Sequence, residues 1–104
     1  MPLRKPTDAT VITANGVHYR TWTGGRGVIT VSGGFDSGTV TLSVLNQTFT
    51  TKDTAADYTT MGTDVTFTAA GNGQFYLMDG RTIAAVVTGA SGSATLDIQI
   101  TEVD

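Results

Sequence analysis

Cysteine is absent from this chain of 104 residues, so no disulfide supports its core and no thiolate chemistry is open to it. Charged helix formers are scarce: one glutamate and two lysines. Six basic residues stand against nine acidic ones, a net charge of −3, and the basic ones cluster nowhere beyond Arg4 and Lys5. Binding a polyanion needs a concentrated cationic surface whose counterion release supplies affinity, so no direct nucleic-acid partner is expected. No apolar run approaches the length of a membrane-spanning helix, and Met1 leads into Pro2 and Arg4 instead of a signal-peptide core; no membrane association is expected. Histidine occurs once, as His18. A zinc site would have to draw its remaining ligands from carboxylates, so neither a metal nor a cofactor is expected.

What is abundant is threonine, 21 residues, with 13 glycines. Threonine is β-branched and suits an extended backbone. Such a chain is either disordered or a sheet with a hydroxyl-bearing face, and periodicity decides. In Thr39-Val40-Thr41-Leu42-Ser43-Val44-Leu45 small hydroxyls alternate with aliphatic groups. Val65-Thr66-Phe67-Thr68-Ala69 and Leu96-Asp97-Ile98-Gln99-Ile100-Thr101 repeat the pattern. Period two over three runs predicts half-buried antiparallel strands. Less regular strands are expected over Val11–Ala14, Val17–Trp22, Gly27–Val31, Gln74–Met78 and Thr82–Thr88. The last is apolar on both sides, as a central strand or a subunit contact would be.

Asn15-Gly16, Asn72-Gly73 and Asp79-Gly80 read as hairpin turns, because both residue types tolerate positive φ. Asp79-Gly80 is the strongest of them, joining two strands with almost nothing between. Gly24-Gly25, Gly33-Gly34 and Gly92-Ser93 mark further reversals. Thr51–Met61 is the least regular stretch, read as a loop, a short helical turn or an irregular edge strand. The expectation is an all-β fold, a small antiparallel β-sandwich or jelly-roll-like barrel of about seven or eight short strands. Residues 1–10, with Pro2 and Pro6, read as an N-terminal tail or arm, and 11–104 as a single sandwich domain. Phe35, Phe49, Phe67 and Phe75 are core candidates.

Few side chains are arranged for chemistry. Val17 and Tyr19 would share one face of a strand and His18 the other. No Gly-x-Ser-x-Gly elbow accompanies the serines. Asp36, Asp53, Asp64 and Asp79 stand where turns need a side-chain acceptor, which accounts for them without an acid–base pair or a calcium loop. Gly24-Gly25-Arg26-Gly27 lacks the lysine and helix of a phosphate-binding loop. Asn46-Gln47-Thr48 fits the glycosylation pattern. No catalytic residue is assigned, and the chain is expected not to be an enzyme. Tyr19, Trp22, Tyr58 and Tyr76 could instead stack on sugars or anchor a protein interface, or Tyr19 and Trp22 could close one end of the sandwich. With Arg4 and Lys5 of the arm they form the candidate interface set.

Phe75-Tyr76-Leu77-Met78-Asp79-Gly80-Arg81-Thr82-Ile83-Ala84-Ala85-Val86-Val87-Thr88-Gly89-Ala90, followed by Thr95–Ile100, is similar to the ends of small structural proteins of tailed bacteriophages. In those a glycine-led strand like Gly33–Leu42 comes first. The resemblance spans Gly33 to Ile100. Leu45-Asn46-Gln47-Thr48-Phe49 stands where such proteins carry a glycine-rich turn and a tryptophan, and Thr51–Met61 is extra. The resemblance implies a non-enzymatic virion protein with a β-sandwich fold, repeated in a symmetric assembly. A capsid decoration or cement protein on the capsid exterior is the leading expectation. Its partners would be the major capsid protein and further copies of itself, with a trimer favoured. The alternative is a receptor- or glycan-binding module of a phage tail or attachment fibre.

Overall fold

The computed structural model describes residues 8–22, 24–46, 52–77, 81–90, 92 and 94–103. Nine strands follow one another: β1 (Asp8–Ile12), β2 (Gly16–Trp22), β3 (Gly25–Gly34), β4 (Thr39–Leu45), β5 (Tyr58–Thr60), β6 (Thr66–Phe67), β7 (Gly71–Leu77), β8 (Arg81–Thr88) and β9 (Thr95–Val103). Single 3₁₀ turns precede β5, at Ala55–Asp57, and β6, at Thr63–Val65. All strand pairs are antiparallel. One sheet has the order β1-β9-β3-β7, the other β2-β8-β4-β5, with β6 also on β4. β5 pairs with Ser43–Leu45 and β6 with Val40–Thr41, so these two lie along the same side of β4 as one interrupted strand. Between them Met61 N–H donates to the Leu42 carbonyl at 2.9 Å. Counted that way, the strands follow the order of an eight-stranded jelly roll, a two-sheet form of the expected sandwich.

The core follows from the alternation. Leu96, Ile98 and Ile100 on β9 face Ile29 and Val31 on β3 within the first sheet, and Val40 and Leu42 on β4 adjoin Ile83, Ala85 and Val87 on β8 within the second; all are buried. These four strands are central in their sheets. β8 is therefore the central strand that its two apolar sides allowed. Phe35, Phe67 and Phe75 are buried, whereas Phe49 lies outside the described residues.

The turn expectations need correction. Asp79-Gly80 lies outside the described residues, but the strands it would join as a hairpin are in different sheets: β7 pairs with β3, and β8 with β2 and β4. Asn72-Gly73 is no turn at all and sits inside β7. Gly73 is there for space, because a Cβ would run into the Asp64 carbonyl of the 3₁₀ turn packed beneath it. Asn15 and the Gly24-Gly25 pair lie at passages from one sheet to the other. Outside the β4–β6 run the chain changes sheet at every connection, so residues suited to tight reversal serve a crossing. Asn15 shows how: its side-chain amide donates to the Ala90 carbonyl at 3.0 Å and accepts from the Ala90 N–H at 2.9 Å. One side chain thereby ties the β1–β2 link to the β8–β9 link. At the β3–β4 crossing Asp36 and Ser37 take positive φ, 49° and 66°, and Gly38 N–H donates to the Phe35 carbonyl at 2.8 Å. Positive φ at both central positions marks a type I′ turn.

Two boundaries also shift. Ladder pairing begins at Asp8, inside the stretch read as tail. Val65–Ala69 supplies only a two-residue strand, because Val65 ends a 3₁₀ turn. Thr51–Met61 contains both a helical turn and a short edge strand.

Candidate functional site

β2 sets the geometry of the richest region. Its alternation sends Gly16, His18, Arg20 and Trp22 toward the interior, since His18 and Arg20 pair with buried Ala85 and Ile83. Val17, Tyr19 and Thr21 face outward, and Tyr19 is 48% exposed. His18 therefore lies on the face opposite Val17 and Tyr19, as the sequence predicts. Tyr19 and Trp22 do not close one end of the sandwich together. Trp22 is fully buried, with its ring centroid 4.9 Å from that of Phe75 at an interplanar angle of 53°, within the range of favourable tilted aromatic pairs. The two rings lie over Gly27, where a Cβ would come within 2.5 Å of Phe75 and 2.7 Å of Trp22. The indole Nε1 is buried without a hydrogen-bond partner. The Arg20 guanidinium sits 5.8 Å from the Trp22 ring centroid, within cation–π range.

Between the β1 and β2 edges opens a cleft of about 320 Å³, lined by Ile12, Ile98, Ile100, Ala85, Val17, His18, Tyr19 and Arg20. Its floor is aliphatic and its β2 wall carries one imidazole and one guanidinium. The His18 Nε2 is buried and has no hydrogen-bond partner. Among the described residues that line the cleft there is no carboxylate. Among the described residues no group of three His, Cys, Asp or Glu side chains is placed to hold a metal ion.

The outer face of the β2 sheet is covered in part by its own chain. The Tyr58 hydroxyl donates to the Lys52 carbonyl at 2.9 Å, and Lys52 Nζ lies 5.8 Å over the Tyr19 ring. Asn46 N–H donates to the Asp57 carbonyl at 2.9 Å, and the Thr59 hydroxyl to Asn46 Oδ1 at 2.6 Å. Ser43 and Ala84, neighbours of Tyr19 across the ladder, are buried on this side. Burial, then the carboxylate of Asp53, with Tyr19 and Asp57 behind it, pushes the Tyr58 phenol above its ordinary pKa.

The outer face of the β1 sheet is different. Arg26, Thr30, Asn72, Gln74, Tyr76 and Gln99 are exposed there, with Tyr76 at 59% and Val11 at 64%. Tyr76 stands opposite Arg26 on the neighbouring strand, and a hollow of about 150 Å³ lies between Arg26, Gly27, Val28 and Gln74.

The candidate interface set is thus dispersed. Trp22 is in the core, Tyr19 and Tyr58 share one outer face, and Tyr76 lies on the other; Arg4 and Lys5 lie outside the described residues. Reading by residue type missed Arg26 and Gln74: Gln74 joins Tyr76 through the alternation of one strand, and Arg26 faces it through the β3–β7 register. The signal was present as alternation in Gln74-Phe75-Tyr76, where Phe75 must be inside for its neighbours to be out. No family model, curated protein or solved structure matches the chain.

Proposed function

We propose that this chain is a non-enzymatic structural protein of a tailed-phage virion, a decoration protein on the exterior of the capsid that acts as a homo-oligomer bound to the major capsid protein. The observation that carries the reading is the contrast between the two outer faces. On one, Lys52 lies over Tyr19 and the neighbouring Ala84 and Ser43 are buried, whereas the other presents Arg26, Gln74, Tyr76 and Val11 to solvent. A broad, polar-aromatic face on a small rigid sandwich suits attachment to a repeating lattice, where an exposed tyrosine and arginine are effective anchors. The resemblance of Gly33–Ile100 to small phage structural proteins supports the same reading. Fold alone does not assign the role. The test is to add purified protein to capsids assembled from the cognate major capsid protein. Retention of the protein, with raised resistance of the shell to heat and dilution, is the expected result. Tyr76→Ala combined with Arg26→Glu should lose retention, and absence of retention at micromolar concentration refutes the reading.

The second reading is a glycan-binding module, favoured by the exposed Tyr76 ring flanked by the Gln74 amide and opposite Arg26. Sugars stack on such rings and hydrogen-bond to neighbouring amides. A glycan array with the native protein separates the two: selective binding lost in Tyr76→Ala favours the module, and uniform absence removes it.

A further inference from the structure

The edges of the two sheets are not equally defended against pairing with another chain. β1 is five residues long, β5 three and β6 two. β2 has seven residues but turns His18 and Arg20 toward the interior. Short edges and inward-facing charges are devices that keep natural sheets from joining edge to edge. β7, Gly71-Asn72-Gly73-Gln74-Phe75-Tyr76-Leu77, has neither. It is seven residues long with no charge and no proline, and beyond its ladder with β3 it pairs with no described strand. The 3₁₀ turn at Thr63–Val65 packs beneath Gly73 but makes no backbone hydrogen bond to it among those described.

The side-chain order of β7 is also self-complementary. Its core-facing residues are Gly71, Gly73, Phe75 and Leu77, and its outward ones Asn72, Gln74 and Tyr76. Two copies joined antiparallel keep both cores on the same side only in registers that pair like faces. Among these, the register with Gln74 opposite its own copy uses all seven residues. It sets Phe75 against Gly73, Leu77 against Gly71, and Tyr76 against Asn72, so no two large core-facing groups meet. At the centre, two Gln74 amides can each donate to and accept from the other.

We infer that the outer edge of β7 docks a second copy of this chain, antiparallel, about a two-fold axis through Gln74, joining the two four-stranded sheets into one continuous sheet. Such an interface is isologous and closes as a dimer. It stands apart from the capsid and glycan readings and makes a different demand from the trimer that the phage resemblance favours.

The chain has no cysteine, which permits a direct test. Across the two-fold, facing Cα atoms lie about 4.5–5.5 Å apart, within the span of a disulfide. Gln74→Cys should oxidise to a covalent dimer, while Gln99→Cys, exposed on the same face but on the inner strand β9, should remain monomeric under denaturing electrophoresis. In sedimentation at tens of micromolar the native chain should run as a dimer. Gln74→Lys and Gln74→Glu should each run as monomers with the native circular dichroism spectrum, and their equimolar mixture should recover the dimer. A native chain that sediments as a monomer or a trimer overturns the inference, as does a dimer that survives both charge substitutions or fails to cross-link through Gln74→Cys.

Discussion

β2 and β7 are the two seven-residue edge strands of the sandwich, one in each sheet, and they solve the problem of an edge in opposite ways. Each contributes one aromatic ring to the core, and the rings meet over Gly27. Beyond that shared anchor they diverge. β2 places an imidazole and a guanidinium on its inner side and leaves a cleft beneath them. β7 places glycines there, one pressed against a 3₁₀ turn. A charge on the inner side of an edge strand is one of the devices by which natural sheets discourage the addition of a further strand. Glycine supplies no such device. The same fold therefore carries one guarded edge and one receptive edge, and the difference lies in inner-face residues that a surface view would overlook.

The largest expected effect tests the shared anchor. Trp22→Ala and Phe75→Ala should each lower stability by about 3–5 kcal/mol, read from urea unfolding. If one alone is costly, the two edge strands are not anchored by the same contact. Next is the packing of β7. Gly73→Ala should cost about 1–3 kcal/mol, because the added methyl forces backbone of the 3₁₀ turn to move. A neutral result would mean that the turn yields without loss and that β7 is not held from below.

The guard on β2 is tested by Arg20→Leu. Light scattering should then show assemblies larger than those of the native chain, with little change in secondary structure by circular dichroism. An unchanged scattering profile would separate the arginine from edge protection. The smallest effect concerns Tyr58, whose phenol is held above the ordinary value of 10.0 by burial and nearby carboxylates. The folded state thus favours the neutral phenol. Its contribution is fully present below pH 10 and is lost as pH rises through the raised pKa. In Tyr58→Phe the urea midpoint should fall less steeply above pH 10 than in the native chain. Parallel slopes would place Tyr58 in solvent.

Much of the sandwich was legible in the sequence because alternation is local. Val40, Leu42, Ile98 and Ile100 announce their burial through their neighbours, and the structure buries all four. The sheet to which each strand belongs was not legible in this way. Asn15-Gly16 and Asp79-Gly80 suit a tight reversal whether the chain returns within a sheet or crosses to the other, and the partner that decides the matter lies far along the chain, as Ala90 does for Asn15. Asn72-Gly73 misleads for a related reason: a glycine that relieves crowding looks the same in sequence as one that supplies positive φ. The surfaces were the hardest to read. Tyr19 and Tyr76 each alternate with inward-facing neighbours, and only the sheet assignment sends them to opposite faces. Trp22 reads either as an exposed aromatic or as a partner of Tyr19 at one end of the sandwich, but a three-residue spacing in a strand of period two places the two on different sides.

The crossing of strands between sheets is the claim on which the faces, the cleft and the edges all depend. Cross-strand nuclear Overhauser contacts in the native protein test it most directly. The expected pattern has Ile29 between Ile100 and Gly73, and Ala85 between His18 and Leu42. Contacts pairing Gln74–Leu77 with Thr82–Thr88 as a hairpin would contradict it.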